Sequence, residues 1–370
     1  MNTPQTRPAD NARTISLTVT QRCNLACIYC YEHNKSAADM TFGTAKRILD
    51  GELRTGSPKE NTYVEFFGGE PFLNFALMRE VYDYVRSFYR GKLRFHTCTN
   101  GTLVHGEVQA WLKAHPDFSV GLSADGTKYA HDLNRSGSFD RIDFDFFLQN
   151  YGHQPVKMTI SALSLPCLAE SVVYLTEKGF DVSCNLAYGI DWSAEDNKAV
   201  LEEQLEALIA YYLDRPQAKR CRLLDFSIAT LARPDTGGGT VRKYCGTGTS
   251  MVCYSVDGEA YPCQFFTPLS AGERALLLRE AHFTRDIDRA LLPENCRSCY
   301  FLRICPRCMG SNYLATGDLY RPDGSYCALH KLIFKANAKL KALEWERGML
   351  ALSRDEEQAL LRSIAAIQEL

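Results

Sequence analysis

From about residue 15 to residue 230, short runs rich in β-branched and aromatic residues alternate with longer runs of helical period. The short runs predict strands over 15–20, 62–67, 93–98, 118–123, 156–162 and 182–187. The longer runs predict helices over 41–53, 75–89, 105–113, 139–150, 168–178 and 194–213. In the last of these, Val200, Leu201, Leu205, Leu208, Ile209 and Leu213 form one apolar stripe. Six strand–helix units in a row imply a parallel sheet with right-handed crossovers. The run Pro234-Asp235-Thr236-Gly237-Gly238-Gly239 breaks the pattern and reads as a linker. Helical period returns after His330 with Leu332, Ile333, Ala336, Leu340 and Leu343, and a last helix is expected over 354–368. The expected organisation is an α/β domain over 1–232, a small cysteine-rich domain over 240–335 and C-terminal helices over 336–370.

Composition narrows the class. Of 370 residues 45% are hydrophobic and 23% charged, as in an ordinary globular chain. The formal net charge is −2 with no block of like charge, so no nucleic-acid partner is expected. The first 14 residues are polar and lack the apolar core of a signal peptide. No run approaches the length of a membrane span. The expected location is therefore the cytoplasm, away from membranes, where thiols stay reduced. Fifteen cysteines in such a compartment point to metal rather than to disulfides.

Three of them, Cys23, Cys27 and Cys30, follow the first predicted strand with three and then two residues between them. Three thiolates suit a cubane iron–sulfur cluster and leave one iron open to a small molecule. Zinc is the alternative, but it closes with four ligands, and only His33 lies near. The second predicted strand ends in Gly68-Gly69-Glu70-Pro71, where two glycines let backbone approach closely and Glu70 supplies a carboxylate. Thr99-Asn100-Gly101 follows the third strand, and Ser123-Ala124-Asp125-Gly126 the fourth, with Arg135 and Arg141 beyond. Taken singly, these polar residues also suit turns and helix starts.

The cysteine spacing, with Tyr29 before the last cysteine, and the Gly-Gly-Glu-Pro run one strand later resemble the radical S-adenosylmethionine (radical SAM) enzymes. The resemblance implies a partial (β/α)6 barrel with its chemistry at the C-terminal strand ends. It implies that Cys23, Cys27 and Cys30 hold a catalytic 4Fe-4S cluster. S-adenosylmethionine would then be held by Tyr29, Gly68, Gly69, Glu70, Pro71, Asn100, Ser123, Asp125 and Arg135, with Arg141 competing for the last role. In that family the bound cosubstrate is cleaved to a 5′-deoxyadenosyl radical.

Eight further cysteines fall within 83 residues: Cys245, Cys253, Cys263, Cys296, Cys299, Cys305, Cys308 and Cys327. With four residues between Gly258 and Cys263, their order resembles the SPASM module of peptide- and protein-modifying radical SAM enzymes. The gap from Cys305 to Cys308 is two residues where the module usually has three. By that resemblance Cys245, Cys253, Cys263 and Cys308 hold one auxiliary 4Fe-4S cluster. Cys296, Cys299, Cys305 and Cys327 hold a second. Two zinc ribbons are the alternative reading of the same spacing. Cys98, Cys167, Cys184 and Cys221 read as small buried thiols, with Cys98 set apart at the reactive end of its strand.

The resemblance implies a peptide or protein substrate and an electron donor such as flavodoxin or ferredoxin. Two activities compete: crosslinking of a ribosomally made peptide, and oxidation of a sulfatase serine or cysteine to formylglycine. Sulfatase-maturing relatives carry an acidic base directly after the third auxiliary cysteine, and here that residue is Gln264, which cannot act as a base. Peptide maturation is therefore expected. Only 22 residues precede Cys23, too few for the winged leader-binding domain of many peptide maturases. A non-catalytic iron–sulfur carrier or redox sensor would explain the cysteines but not the trio joined to Gly-Gly-Glu-Pro.

Overall fold

The computed structural model describes residues 12–54, 61–89, 91–232, 238–278 and 281–370. The expected linker lies outside the described residues over 234–237, as does most of the polar N-terminus. In chain order the strands are β1 (Ala12–Thr20), β2 (Asn61–Gly68), β3 (Leu93–Thr99), β4 (Phe118–Leu122), β5 (Val156–Ile160), β6 (Val182–Leu186), β7 (Thr240–Arg242), β8 (Met251–Tyr254), β9 (Ala260–Tyr261) and β10 (Asp286–Asp288). The helices are α1 (Phe42–Arg54), α2 (Phe75–Phe88), α3 (Gly106–Ala114), α4 (Lys128–Asn134), α5 (Phe144–Tyr151), α6 (Leu168–Glu177), α7 (Asp196–Asp214), α8 (Pro268–Ala271), α9 (Glu294–Arg297), α10 (Met309–Thr316), α11 (Gly324–Glu346) and α12 (Arg354–Gln368). The chain forms two compact units, each of several segments: Met1–Ala124, Arg135–Gln154 and Tyr244–Arg285 in the first, Asp125–Asn134, Pro155–Lys243 and Asp286–Leu370 in the second.

The first unit is built on a sheet of order β4-β3-β2-β1-β8-β9. Its pairs are parallel except β8 with β9. β2 buries alternate residues, Thr62, Val64, Phe66 and Gly68, as a half-covered strand should. β1, between β2 and β8, is buried on both faces from Ile15 to Thr20. Phe66, Phe95 and Phe118 stack across β2, β3 and β4 with near-parallel rings about 6 Å apart, a ladder of cross-strand aromatic pairs. Parallel pairing puts the ends of β1 to β4, at Thr20, Gly68, Thr99 and Leu122, on one side of this sheet, and the cysteine loop leaves from there. The stretch from Met251 to Tyr261, in the cysteine-rich region, extends the same sheet.

In the second unit β5 and β6 form a parallel pair of their own. One backbone N–H of β5, that of Thr159, donates to the Asp125 carboxylate rather than to another strand. α7 buries Leu201, Leu205, Leu208 and Ile209 as expected, and Tyr212 in place of Leu213. α11 and α12 pack with Ile228, Leu231, Phe301 and Ile304 into one core through Phe334, Ala338, Leu360, Ile364 and Ile367. A capping box of Ser353 and Glu356 starts α12.

Candidate active site

The cysteine loop leaves β1 at Thr20 and is fastened by its own side chains. Asp39 accepts from Thr20 Oγ1 (2.5 Å) and from Arg22 (2.6 and 3.0 Å). The Cys30 N–H closes a turn on the Cys27 carbonyl. Asn24, between the first two cysteines, donates to Thr102 and accepts from Asn100, so the loop is tied to the end of β3.

Gly68 and Gly69 pack directly against this loop. A Cβ at Gly68 would lie 2.1 Å from the Thr20 carbonyl oxygen, and one at Gly69 would lie 2.3 Å from that of Arg22 and 2.9 Å from Cys23 Cβ. Gly68 also has φ +144°, which side-chain-bearing residues rarely adopt. Two backbone bonds complete the approach, Gly69 N–H to Thr20 and Glu70 N–H to Arg22. Pro71, buried, starts the short 3-10 turn Pro71–Asn74.

Glu70 is buried, and both its oxygens have protein partners. Oε1 accepts from Thr99 Oγ1 (2.7 Å) and the Phe72 N–H (3.2 Å), and Oε2 from the Asn100 N–H (2.9 Å). Burial raises its pKa to about 6 against these bonds and the Arg135 charge. Here Glu70 links the ends of β2 and β3 beneath the cysteine loop. Arg135 is buried, with its guanidinium 5.4 Å from the Tyr29 ring centre. Arg141 is exposed, and its carbonyl is in contact with His105 (2.8 Å). Ser123, half-buried, donates its N–H to the Thr99 carbonyl.

Asp125 lies in the second unit, buried, and its oxygens accept from Thr159 N–H and Asn134 Nδ2. Asn134, fully buried, also donates to Ser164 and Thr159 and accepts from Ser161. Asn24 and Asn134 escaped the sequence reading, since an asparagine in a loop or at a helix end looks like any turn residue.

Burial raises the Cys23 thiol to about 11 and Glu32 to about 8. Lys35 carries a charge beside Cys23 and Cys30, and that attraction outweighs its own burial and raises its pKa. Tyr31 stacks on Phe265 at 4.3 Å, and the Asn34 N–H donates to the Leu269 carbonyl. The segment after Cys263 is thereby fastened to the cysteine loop. Gln264 follows Cys263 in a 3-10 turn with its Oε1 buried and without a hydrogen-bond partner. Cys245 is exposed, with its sulfur 3.0 Å from Thr247 Oγ1. Cys253 is a fully buried strand residue opposite Ser16 and beside Thr18, and burial raises its thiol to about 12.

Of the four remaining thiols, Cys98 touches His96 Nε2 at 3.5 Å. Cys184 and Cys221 are a buried contact pair, with Cys221 N–H donating to Tyr212. Cys167 starts α6, half-buried.

In the second unit Cys296, Cys299, Cys305, Cys308 and Cys327 line one cavity of about 80 Å³, with Arg307, Tyr326, His330 and Lys331. Cys327 falls in the first turn of α11, which Asp323 caps through the Tyr326 N–H. Burial raises the thiols of Cys296, Cys305 (to about 11) and Cys327, and the charges of Arg307 or Lys331 oppose it. Burial lowers His330 to about 4, so its ring is neutral at pH 7. Five soft sulfur donors around one cavity suit an iron–sulfur cluster. Among the described residues no three His, Cys, Asp or Glu side chains converge on a single-ion site.

A model of the radical SAM superfamily matches residues 17–143, from β1 through the cysteine loop to the turn after Arg135. These residues form a radical SAM domain. The chain resembles an uncharacterized protein of Methanocaldococcus jannaschii, 34% identical over 46% of this chain and 60% of that one. The AdoMet-dependent heme synthase of Methanosarcina barkeri is 27% identical over 85% of this chain and 96% of that one. The radical SAM cyclopropyl synthase TigE of Paramaledivibacter caminithermalis is 23% identical over 94% and 78%. Among solved structures, native anSMEcpe with bound AdoMet and Cp18Cys peptide superposes with a TM-score of 0.69. It is 18% identical and covers 92% of this chain and 100% of that one, a likeness of fold. The α/β fold with a parallel sheet, expected from the strand–helix alternation, and the radical SAM fold that the resemblance implies are observed. No helix among the described residues is long and apolar enough to cross a membrane.

Proposed function

We propose that the protein is a radical SAM peptide maturase that abstracts hydrogen from a ribosomally made peptide and installs a crosslink. S-adenosylmethionine bound at a 4Fe-4S cluster would supply a 5′-deoxyadenosyl radical for that abstraction, taking one electron from the reduced cluster and releasing methionine. Cys23, Cys27 and Cys30 would hold the cluster, and the glycine-shaped backbone at Gly68–Gly69 would face the cosubstrate's amino end. Arg135, fixed over Tyr29, would take its carboxylate through paired charge-assisted bonds. Glu70 and Asn100 would act by holding the loop through Asn24, Thr99 and Thr102. Ser123 and Asp125 keep their expected roles near the cosubstrate as part of this proposal. Two auxiliary clusters on the eight later cysteines, and a flavodoxin- or ferredoxin-like donor, complete it.

Gln264 carries the choice of reaction. It stands directly after Cys263, where the sulfatase-maturing relatives place an acid, and an amide takes no proton at neutral pH. A general base must reach the proton it removes. Formylglycine formation is the second reading, favoured by the similarity to a cysteine-type anaerobic sulfatase-maturating enzyme of Clostridium perfringens, 22% identical over 85% of this chain and 92% of that one. TigE, a cyclopropyl synthase, is similar over most of its length and favours the first.

The test is anaerobic incubation of reconstituted protein with S-adenosylmethionine, dithionite and a sulfatase-derived serine or cysteine peptide. The expected outcome is 5′-deoxyadenosine without formylglycine in the peptide mass spectrum. Formylglycine would replace this reading with sulfatase maturation. Absence of 5′-deoxyadenosine would leave only a non-catalytic iron–sulfur protein.

A further inference from the structure

The cysteine-lined cavity of the second unit contains two nitrogen-bearing side chains with unmet hydrogen-bonding capacity. His330 lines it with both ring nitrogens buried and without partners. Arg307 lines it with a buried Nε that also has none. Buried polar atoms nearly always find a partner, because leaving one unmet costs about 1–3 kcal/mol. Three such atoms around one cavity call for a common partner within it.

The geometry holds both side chains in place. The His330 ring packs against Tyr326 at 4.6 Å and Phe334 at 6.0 Å between ring centres, one turn of α11 beyond Cys327. Arg307, between Cys305 and Cys308, has φ +34°, a conformation that a non-glycine residue keeps only when its surroundings impose it. Its two terminal nitrogens are used: Nη1 donates to the Leu302 carbonyl and Nη2 to that of Arg242 (2.9 Å). Nε is the one guanidinium nitrogen left without a partner, on the residue between two cavity cysteines.

We propose that His330 and Arg307 Nε–H are hydrogen-bond donors to the sulfurs of the auxiliary iron–sulfur cluster in this cavity, and set its reduction potential. The proposal rests on the auxiliary-cluster reading above. Neither residue is a cluster ligand in this assignment. Hydrogen bonds to cluster sulfurs stabilise the reduced, more negative state and raise the potential. Lys331, also lining the cavity, adds positive charge.

The test uses full-length, anaerobically reconstituted protein with Cys23, Cys27 and Cys30 replaced by Ala, so that only auxiliary clusters contribute. Iron and sulfide are counted, and the potential is read by an EPR-monitored redox titration. In this background His330→Phe should keep the parent's iron content. Its reduced-to-oxidised ratio at fixed potential should fall about tenfold, about 59 mV for a one-electron couple. His330→Gln, which keeps an N–H, should shift less. Arg307→Lys keeps the charge and loses Nε–H, and should shift the potential in the same direction as His330→Phe. The Gln and Lys variants decide the matter if His330→Phe does not fold.

Unchanged potentials with iron intact would overturn the proposal. Loss of about four irons in both His330 variants would overturn it in favour of ligation by His330. A parent protein that binds zinc, or no iron, would instead refute the auxiliary-cluster reading.

Discussion

Around the cysteine loop of the first unit, the side chains that shape the loop have protein partners: Asn24 with Thr102 and Asn100, and Glu70 with Thr99, Asn100 and Phe72. Around the cysteine cavity of the second unit, Arg307 Nε and both His330 nitrogens have none. The first region is assembled by the polypeptide itself, with glycines where backbone meets backbone. The second joins the short helices and turns that carry Cys296 to Cys308 to the start of the long helix α11, and their thiols and orphan nitrogens share a cavity. A site completed by protein contacts should outlast the loss of its metal, and one that relies on metal for its last contacts should not.

The largest expected effect follows directly. Cys299→Ser with Cys305→Ser should remove about four irons and lower the melting temperature of the second unit by many degrees. Replacing Cys23, Cys27 and Cys30 together should also remove about four irons, yet shift melting by no more than about 4 °C, the equivalent of roughly 1 kcal/mol. Anaerobic calorimetry beside iron analysis reads both. Equal losses of stability would erase the distinction between the regions.

The difference between the regions also explains what could be read from the chain. Strands β1 to β6 were legible because each alternates or runs apolar between turn residues, and α12 because its capping box and stripe agree. The helix expected over 139–150 is a 3-10 turn, Phe139–Arg141, followed by α5, with the break at Ile142–Asp143. Asp143 caps α5 through the Phe146 N–H, a start signal present in the sequence but hidden inside an apolar run. Strands β7 to β10 are two to four residues long, too short for any period to show. The role of Glu70 as a tie between the ends of β2 and β3 depends on which strands become neighbours. The orphan nitrogens of the second unit are visible only once five cysteines share a cavity.

A smaller effect sharpens the first region. Arg135 sits over Tyr29 and Arg141 is exposed, so the two should part in cosubstrate binding. Arg135→Lys keeps the charge and loses the planar fork, and should weaken S-adenosylmethionine binding by about 1–3 kcal/mol. Arg141→Lys should leave it unchanged. Anaerobic equilibrium binding to the cluster-loaded protein measures both, and the reverse pattern would move the carboxylate contact to Arg141.

The smallest effect tests whether the first region is held by its own polar contacts. Glu70 has a pKa of about 6 when folded, above the usual carboxyl value of 4.5, because burial disfavours its charge more than its partners favour it. The folded state therefore binds this proton more tightly than the unfolded state does. The associated stability is present in full below pH 4.5 and is lost as pH rises through 6. The loss is on the order of 1–2 kcal/mol, since one pKa unit is about 1.4 kcal/mol. Glu70→Gln removes the titration while keeping an oxygen for Thr99 and Phe72, and leaves the Asn100 N–H without its acceptor. The variant should be less stable at every pH, and its deficit should shrink between pH 5 and pH 7 as the wild type loses its advantage. Anaerobic urea unfolding at both values measures the two deficits. A deficit that grows with pH would mean that the ionised carboxylate is the better tether, and that the three bonds to Glu70 outweigh its burial.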